Sequence, residues 1–110
     1  MGLAARTIEE NKLSTVVLTP MPEFQRAVGI PRQVAVPFPY GRLLGDVGDA
    51  ETQTQVLQTA LGWLEEARSP GHTRHLPLTW PEAPKDTHWH PPRMSPIIKH
   101  FLREIKNAPV

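Results

Sequence analysis

Four histidines in a proline-rich stretch are the residues with the clearest metal-binding chemistry. His72 and His75 are three residues apart, and His88 and His90 are two residues apart. Imidazole binds divalent transition metals, so a close pair of this kind can chelate one ion. A catalytic zinc site usually needs three protein ligands, and no third ligand type accompanies these pairs. Two interpretations stay open: a histidine metal site, and loop histidines that pack on neighbouring tryptophans, which we favour.

A glycine-rich loop between Pro37 and Asp49 is the second candidate site. The residues that it offers to a substrate pocket or an interface are Phe38, Tyr40, Gly41, Arg42, Gly45, Asp46 and Gly48. Ligands of parallel α/β sheets bind beyond the carboxyl ends of the strands, which is where this loop lies. Its two aspartates disfavour a phosphate cradle, because an anion would meet negative charge. The loop is interpreted either as a pocket wall or as a tightly packed subunit contact, with Trp80 and Trp89 as further aromatic lining.

Acidic residues and nucleophiles point to no reaction by themselves. Glu82 and Asp86 are interpreted as solvated loop residues, although one of them could orient an imidazole of His88 or His90 as a general base. No serine lies on a glycine-flanked turn, and the chain has no cysteine. Disulfides, thiolate metal sites and thiol catalysis are therefore excluded within this chain. We predict no catalytic residue and no cofactor.

The elements that must position these residues alternate between helix and strand. Apolar periodicity, caps, prolines and glycines predict helices at Leu3–Glu10, Pro22–Val28, Ala50–Ala67 and Pro96–Lys106, and strands at Ser14–Thr19 and Gln33–Val36. The pattern indicates an α/β fold with a small parallel sheet and flanking helices, a partial doubly wound arrangement. Three parts are predicted: a βαβ-type core at 1–69, a proline- and histidine-rich irregular segment at 70–94, and a C-terminal amphipathic helix at 95–110.

Composition bounds the function class. The 110 residues carry 12 basic and 11 acidic side chains, which gives no basic face for nucleic acid. No apolar run approaches the roughly 20 residues of a membrane span, and no signal segment is visible, so we expect a cytoplasmic protein without membrane contact. Two parallel strands are too few for a stable sheet, and their open edges predict a homo-oligomer or a partner subunit.

Several stretches of the first half carry a family resemblance. They are Gly2–Glu10 (GLAARTIEE), Ser14–Leu18 (STVVL), Val36–Gly41 (VPFPYG) and Leu44–Asp49 (LGDVGD). The strongest is PFPYGRLLG, which begins at Pro37 and has Leu43 where a similar family pattern has proline. From Gly2 to about Leu64 the chain resembles the C-terminal part of the glycine/betaine/sarcosine/D-proline reductases, the selenoprotein B-type family.

The resemblance implies a doubly wound domain of an enzyme that reductively cleaves a carbon–heteroatom bond in a small amine or amino acid. In that family a selenocysteine- or cysteine-containing redox motif lies just before the helix that matches Gly2–Glu10. This chain has neither residue, so the resemblance implies a Cys- or Sec-containing partner subunit. The Pro37–Asp49 loop, together with His88 and His90, is then expected to shape the substrate pocket. The alternatives are a non-catalytic assembly or regulatory module and a histidine-based metal-binding protein.

Overall fold

The computed structural model describes residues 1–87 and 93–107 and confirms the predicted α/β class. Its elements are α1 (Gly2–Glu10), β1 (Val17–Thr19), α2 (Pro22–Val28), β2 (Arg32–Ala35), α3 (Ala50–Glu66), β3 (His72–His75), a 3₁₀ turn (Pro84–Asp86), α4 (Pro96–His100) and α5 (Leu102–Asn107). Among the described helices, none combines the length and the apolarity that a bilayer crossing requires.

The sheet has three parallel strands in the order β1-β2-β3, with β2 in the centre. The third strand is a correction, because the segment from residue 70 onward was expected to be irregular. Its first two prolines, Pro70 and Pro77, lie on either side of β3 and leave the strand itself free of proline. Gly71 turns the chain into the strand with a φ of 83° and donates its N–H to Pro31 O at 2.9 Å. The premise of a two-strand sheet is therefore wrong, and association with another chain stays a prediction.

Helices cover both faces of the sheet. On one face, the apolar residues of β2 and the loop after it pack with α3 to form the core, which consists of Val34, Val36, Phe38, Val56, Ala60 and Leu76. On the other face, Gln33 Nε2 donates to Pro22 O at 3.1 Å and to Thr73 Oγ1 at 2.6 Å, which joins α2 to β2 and β3. This two-sided cover matches the predicted partial doubly wound arrangement.

Helix α3 begins as the sequence predicts but buries a narrower stripe. The Asp49 side chain accepts from Thr52 N at 3.1 Å, which confirms the predicted cap. The predicted apolar stripe also contained Leu57, Leu61 and Leu64, yet Leu57 and Leu61 remain 49% and 60% exposed. They lie about 100° or more around the helix from Val56, because each residue turns the helix by about 100°.

The C-terminal helix is interrupted. Phe101 separates α4 from α5 with φ −95° and ψ 14°, although Ile105 N still donates to Phe101 O at 2.9 Å. Ser95 caps α4 as predicted, since its hydroxyl accepts from Ile98 N at 3.4 Å. The last residues of the predicted 95–110 segment, 108–110, lie outside the described part of the chain.

A carboxylate network fastens α1 to the centre of the sheet. Glu9 Oε1 accepts from Thr15 N at 2.6 Å, from Thr15 Oγ1 at 3.0 Å and from Arg32 Nη1 at 2.6 Å. Burial works to raise the pKa of Glu9, but the hydrogen bonds from Thr15 and the Arg32 charge outweigh it and hold that pKa below its ordinary value of 4.5. Glu9 therefore stabilises the fold in its ionised form.

Glu9→Gln is expected to lower the free energy of unfolding by about 1 kcal/mol at neutral pH, because a charged hydrogen-bond acceptor is replaced by a neutral one. A lowered folded pKa gives stability that is complete above 4.5 and is lost as the pH falls through the folded value. Urea unfolding of both chains should thus converge in acid. The neighbouring exposed Glu10→Gln is the control, and an equal effect of the two substitutions would contradict the network's role.

Candidate functional site

A cleft of about 560 Å³ opens beyond the carboxyl ends of β1 and β2. This is where ligands of parallel α/β sheets bind, and the volume is in the usual range for a small-molecule pocket. The residues that line the cleft are Pro20, Val36, Pro37, Phe38, Pro39, Tyr40, Thr79, Trp80 and Glu82. Most of them are apolar, and five of the nine come from the loop that directly follows β2.

Prolines make the cleft by ending the strand pairing at the same level. Beyond the strands, Val36 N donates to Thr19 O and Leu76 N donates to Ala35 O, each at 2.9 Å. The next residue is a proline in both segments: Pro20 follows the end of β1, and Pro37 follows Val36. A proline has no N–H and cannot donate to a sheet ladder. The chain segments separate there, which leaves the carboxyl edge of the sheet open.

Two aromatic rings form the back of the cleft. Phe38 is 3% exposed and meets Trp80 edge-to-face, with 5.5 Å between the ring centroids. The Trp80 indole Nε1 donates to the buried Thr87 hydroxyl at 2.9 Å, which fixes the plane of its ring. Tyr40 is 59% exposed at the rim, and its hydroxyl lies 3.0 Å from Met21 Sδ. The geometry is that of a rigid aromatic wall with one accessible phenol.

Charged residues cluster beside the aromatic wall. Arg42 Nε lies 3.3 Å from Asp46 Oδ1, and a small cavity of about 70 Å³ joins both residues to Trp80, Glu82 and Thr87. The cluster therefore contains one guanidinium and two carboxylates, next to an apolar cleft. Such a rim can bind a small molecule that carries both an amine and a carboxylate.

A further recess of about 210 Å³ lies on the α3 side of the Phe38–Trp80 pair. It is lined by Phe38, Asp46, Asp49, Thr52, Leu78, Thr79, Trp80 and Pro81. Hydrogen bonding from the Thr52 side chain and backbone holds the pKa of Asp49 below its ordinary value of 3.8. Asp49 is therefore ionised at neutral pH and adds negative charge to the recess.

The glycines of the loop shape the chain rather than line the cleft. Gly41, Gly45 and Gly48 have φ values of 82°, 107° and 80°, in the region that favours glycine. At Gly45 an added Cβ would lie 2.9 Å from Thr52 Cγ2, whereas Gly41 and Gly48 face open space. Of the predicted loop residues, Phe38 and Tyr40 line the cleft, and Arg42 and Asp46 lie beside it. Among the described residues that line the cleft, none is a glycine.

The predicted histidine pairs are not brought together in the described part of the chain. His72 and His75 lie at opposite ends of β3, and residues three apart in a strand point to opposite faces. His72 Nε2 lies 3.2 Å from Ser69 Oγ, and His75 lines a 290 Å³ recess next to the cleft. His88 and His90, with Trp89, lie outside the described residues.

Metal binding by the histidines stays a prediction. Within residues 1–87 and 93–107, no three histidine or carboxylate side chains come together as a metal site. Glu82 lines the cleft and is exposed there, which agrees with its interpretation as a solvated loop residue. The alternative, in which a carboxylate orients His88 or His90, involves residues outside the described part of the chain.

The apolar return of the chain across the carboxyl edge of the sheet was not predicted from the sequence. Pro20, Thr79 and Glu82 join the cleft, and Leu78 lines the two neighbouring recesses. The signal was the apolar island from Leu76 to Trp80 within the proline-rich segment, since such an island must pack against something.

We compared the chain with family models, with curated proteins and with solved structures, and it matches none of them. The reductase resemblance therefore depends on the quoted stretches alone and remains a hypothesis.

Proposed function

We propose that this chain binds and orients the substrate in a reductase of the selenoprotein B type, whose redox nucleophile is carried by a partner subunit. One observation carries the proposal. The stretch that most resembles the family, beginning Pro37-Phe-Pro-Tyr40, forms the floor and one wall of the cleft at the carboxyl edge of the sheet. Motif and pocket therefore coincide.

The lining of the cleft fits a small amine or amino acid. The faces of Trp80 and Tyr40 attract an ammonium group, and the Glu82 carboxylate adds negative charge at the same rim. Arg42 stands beside them and suits a substrate carboxylate, with Asp46 as its partner in the ligand-free chain. A ligand with an amine and a carboxylate would bridge these two ends.

The division of labour follows from the residue types present. The chain has no cysteine, so the thiol or selenol that attacks the substrate belongs to the partner subunit. The partner's thiol or selenol attacks the substrate carbon and forms a carbon–sulfur or carbon–selenium bond, while the carbon–nitrogen bond breaks and the amine leaves with a proton from solvent. A second thiol of the partner then attacks that sulfur or selenium and forms a disulfide or selenylsulfide, and the released carbon takes up a proton. This chain holds the substrate against the aromatic wall while that exchange takes place.

The three tryptophan indoles make a direct test of ligand position. We expect glycine, sarcosine, betaine or D-proline, titrated into ¹⁵N-labelled protein, to shift the Trp80 indole N–H resonance saturably and to leave that of Trp63 on α3 unchanged. Trp80→Ala should weaken the binding by about tenfold, the loss of one cation–π contact. Phe24→Ala, which removes an exposed aromatic ring of α2, is the control.

Two results would contradict the proposal. One is the absence of any saturable shift with all of these ligands. The other is a shift that centres on Trp63 or on other residues remote from the Pro37–Tyr40 stretch.

A further inference from the structure

Helix α3 carries an apolar surface that the sheet does not cover. Leu57 and Leu61 are 49% and 60% exposed, and half-buried Leu64 continues the same row. The spacing of four and three residues puts them on one side of the helix. They lie beside the stripe of Val56, Ala60 and Trp63 that faces the core. We refer to Leu57, Leu61 and Leu64 as the α3 flank.

The C-terminal helices carry a second uncovered apolar surface. It consists of Ile97, Ile98, Phe101 and Ile105, which are between 42% and 67% exposed. We refer to these four residues as the C-terminal stripe. The chain is also elongated, with a radius of gyration of 17.3 Å and extents of 52 × 31 × 22 Å. A compact domain of this length has a radius of gyration of about 13 Å.

The charges around the two surfaces are complementary. Helix α3 contains Glu51, Glu65 and Glu66 and no basic residue. Residues 96–107 contain three basic side chains, Lys99, Arg103 and Lys106, against the single acid Glu104. Of the charged residues just named on α3 and on residues 96–107, Glu66 alone forms an ion pair within the described residues, and its partner is Arg74. Attraction between the two helical segments is therefore available and unused within one copy.

We propose that the α3 flank of one copy binds the C-terminal stripe of a second copy, and that the contact is repeated by a two-fold axis. The flank extends for about 10 Å along its helix and the stripe for about 12 Å, so they match in length. A two-fold arrangement uses each surface once on each chain and closes without leaving either uncovered.

The reciprocal exchange explains why neither surface is satisfied within a single chain. One contact between two short helices buries too little surface for a stable complex, whereas a specific interface needs about 1,200–2,000 Å². Two-fold repetition doubles the buried area, and it places acidic α3 next to the basic C-terminal segment at both contacts. The interface does not use the cleft-lining residues and is independent of the proposed function.

The test measures the mass of the full chain in solution by light scattering at several concentrations. We expect the native chain to have twice the 12.3 kDa mass of one copy. A flank variant, Leu57→Asp/Leu61→Asp, and a stripe variant, Ile98→Asp/Phe101→Asp, should each weaken the association by at least about thirtyfold, because both contacts of the dimer are lost. Phe24→Asp, which changes an exposed residue outside both surfaces, should leave the mass unchanged.

Mixing the two variants gives the decisive comparison. A flank variant still has an intact stripe, and a stripe variant still has an intact flank, so the mixture can form one of the two native contacts. The mixed pair should therefore associate more tightly than either variant alone and less tightly than the native chain. Circular dichroism of each variant verifies that the exposed substitutions leave the fold intact. A monomeric native chain, a stripe variant that remains dimeric, or a mixture of folded variants that associates no more tightly than either variant alone would overturn the proposal.

Discussion

Gly45→Ala is expected to lower the free energy of unfolding by about 2–4 kcal/mol. Gly45 has a φ of 107°, which an L-residue rarely adopts, and an added Cβ would lie 2.9 Å from Cγ2 and 3.2 Å from Cβ of Thr52. Rotation of the Thr52 side chain can move Cγ2, but Cβ is bonded to the helix backbone and cannot move away without displacing the first turn of α3. The substitution should therefore shift the loop and with it the Asp46 rim of the cleft.

Gly41→Ala is the matched control. Gly41 also has a positive φ, of 82°, but an added Cβ would have no neighbour within 4 Å. We expect a cost of about 1 kcal/mol, from the backbone conformation alone. Urea unfolding of the two variants separates the steric cost from the conformational cost. Equal losses of unfolding free energy would contradict the close contact between the loop and α3.

Phe38→Ala is expected to lower the free energy of unfolding by about 3–5 kcal/mol, the largest loss of any single substitution in the cleft. The ring is 3% exposed, belongs to the core with Val34 and Val56, and also packs edge-to-face against the ring of Trp80. A domain of this size is stable by only about 5–15 kcal/mol, so thermal unfolding should move to a markedly lower temperature.

Two comparisons locate the cause of that loss. Phe24→Ala removes an aromatic ring that is 64% exposed and should change the stability by less than about 0.5 kcal/mol. The double variant Phe38→Ala/Trp80→Ala should lose less than the sum of the two single losses, by about 0.5–1.5 kcal/mol for the edge-to-face pair. Additive losses would mean that the two rings do not support each other.

Local signals in the sequence were sufficient where the elements are defined by their own ends. Helix α2 has proline at its start and Gly29 in the left-handed conformation at its end, and its bounds were predicted as observed. Asp49 likewise marked the start of α3, because an aspartate there can accept a hydrogen bond from the first turn, and its side chain does so from Thr52 N. These signals act between residues that are close in sequence, so they can be read without knowledge of the fold.

Features that depend on distant contacts were not predictable in the same way. Strand β3 is polar and carries no alternating pattern, and it is a strand because β2 offers an unpaired edge. The side of α3 that faces the sheet was not predictable, because the helix carries two adjacent apolar rows. One row begins at Val56 and the other at Leu57, and both have helical spacing. The place of Glu82 in the cleft required the return of the chain over the sheet edge.

The most direct test of the proposed function is purification of the tagged chain from its native host under reducing conditions. We expect a near-equimolar partner that contains cysteine or selenocysteine, in a complex that reductively cleaves a small amine or amino acid. Trp80→Ala should preserve the complex and reduce the cleavage. Purification of the chain without any such subunit, or of a complex without this activity, would contradict the proposed role in a reductase.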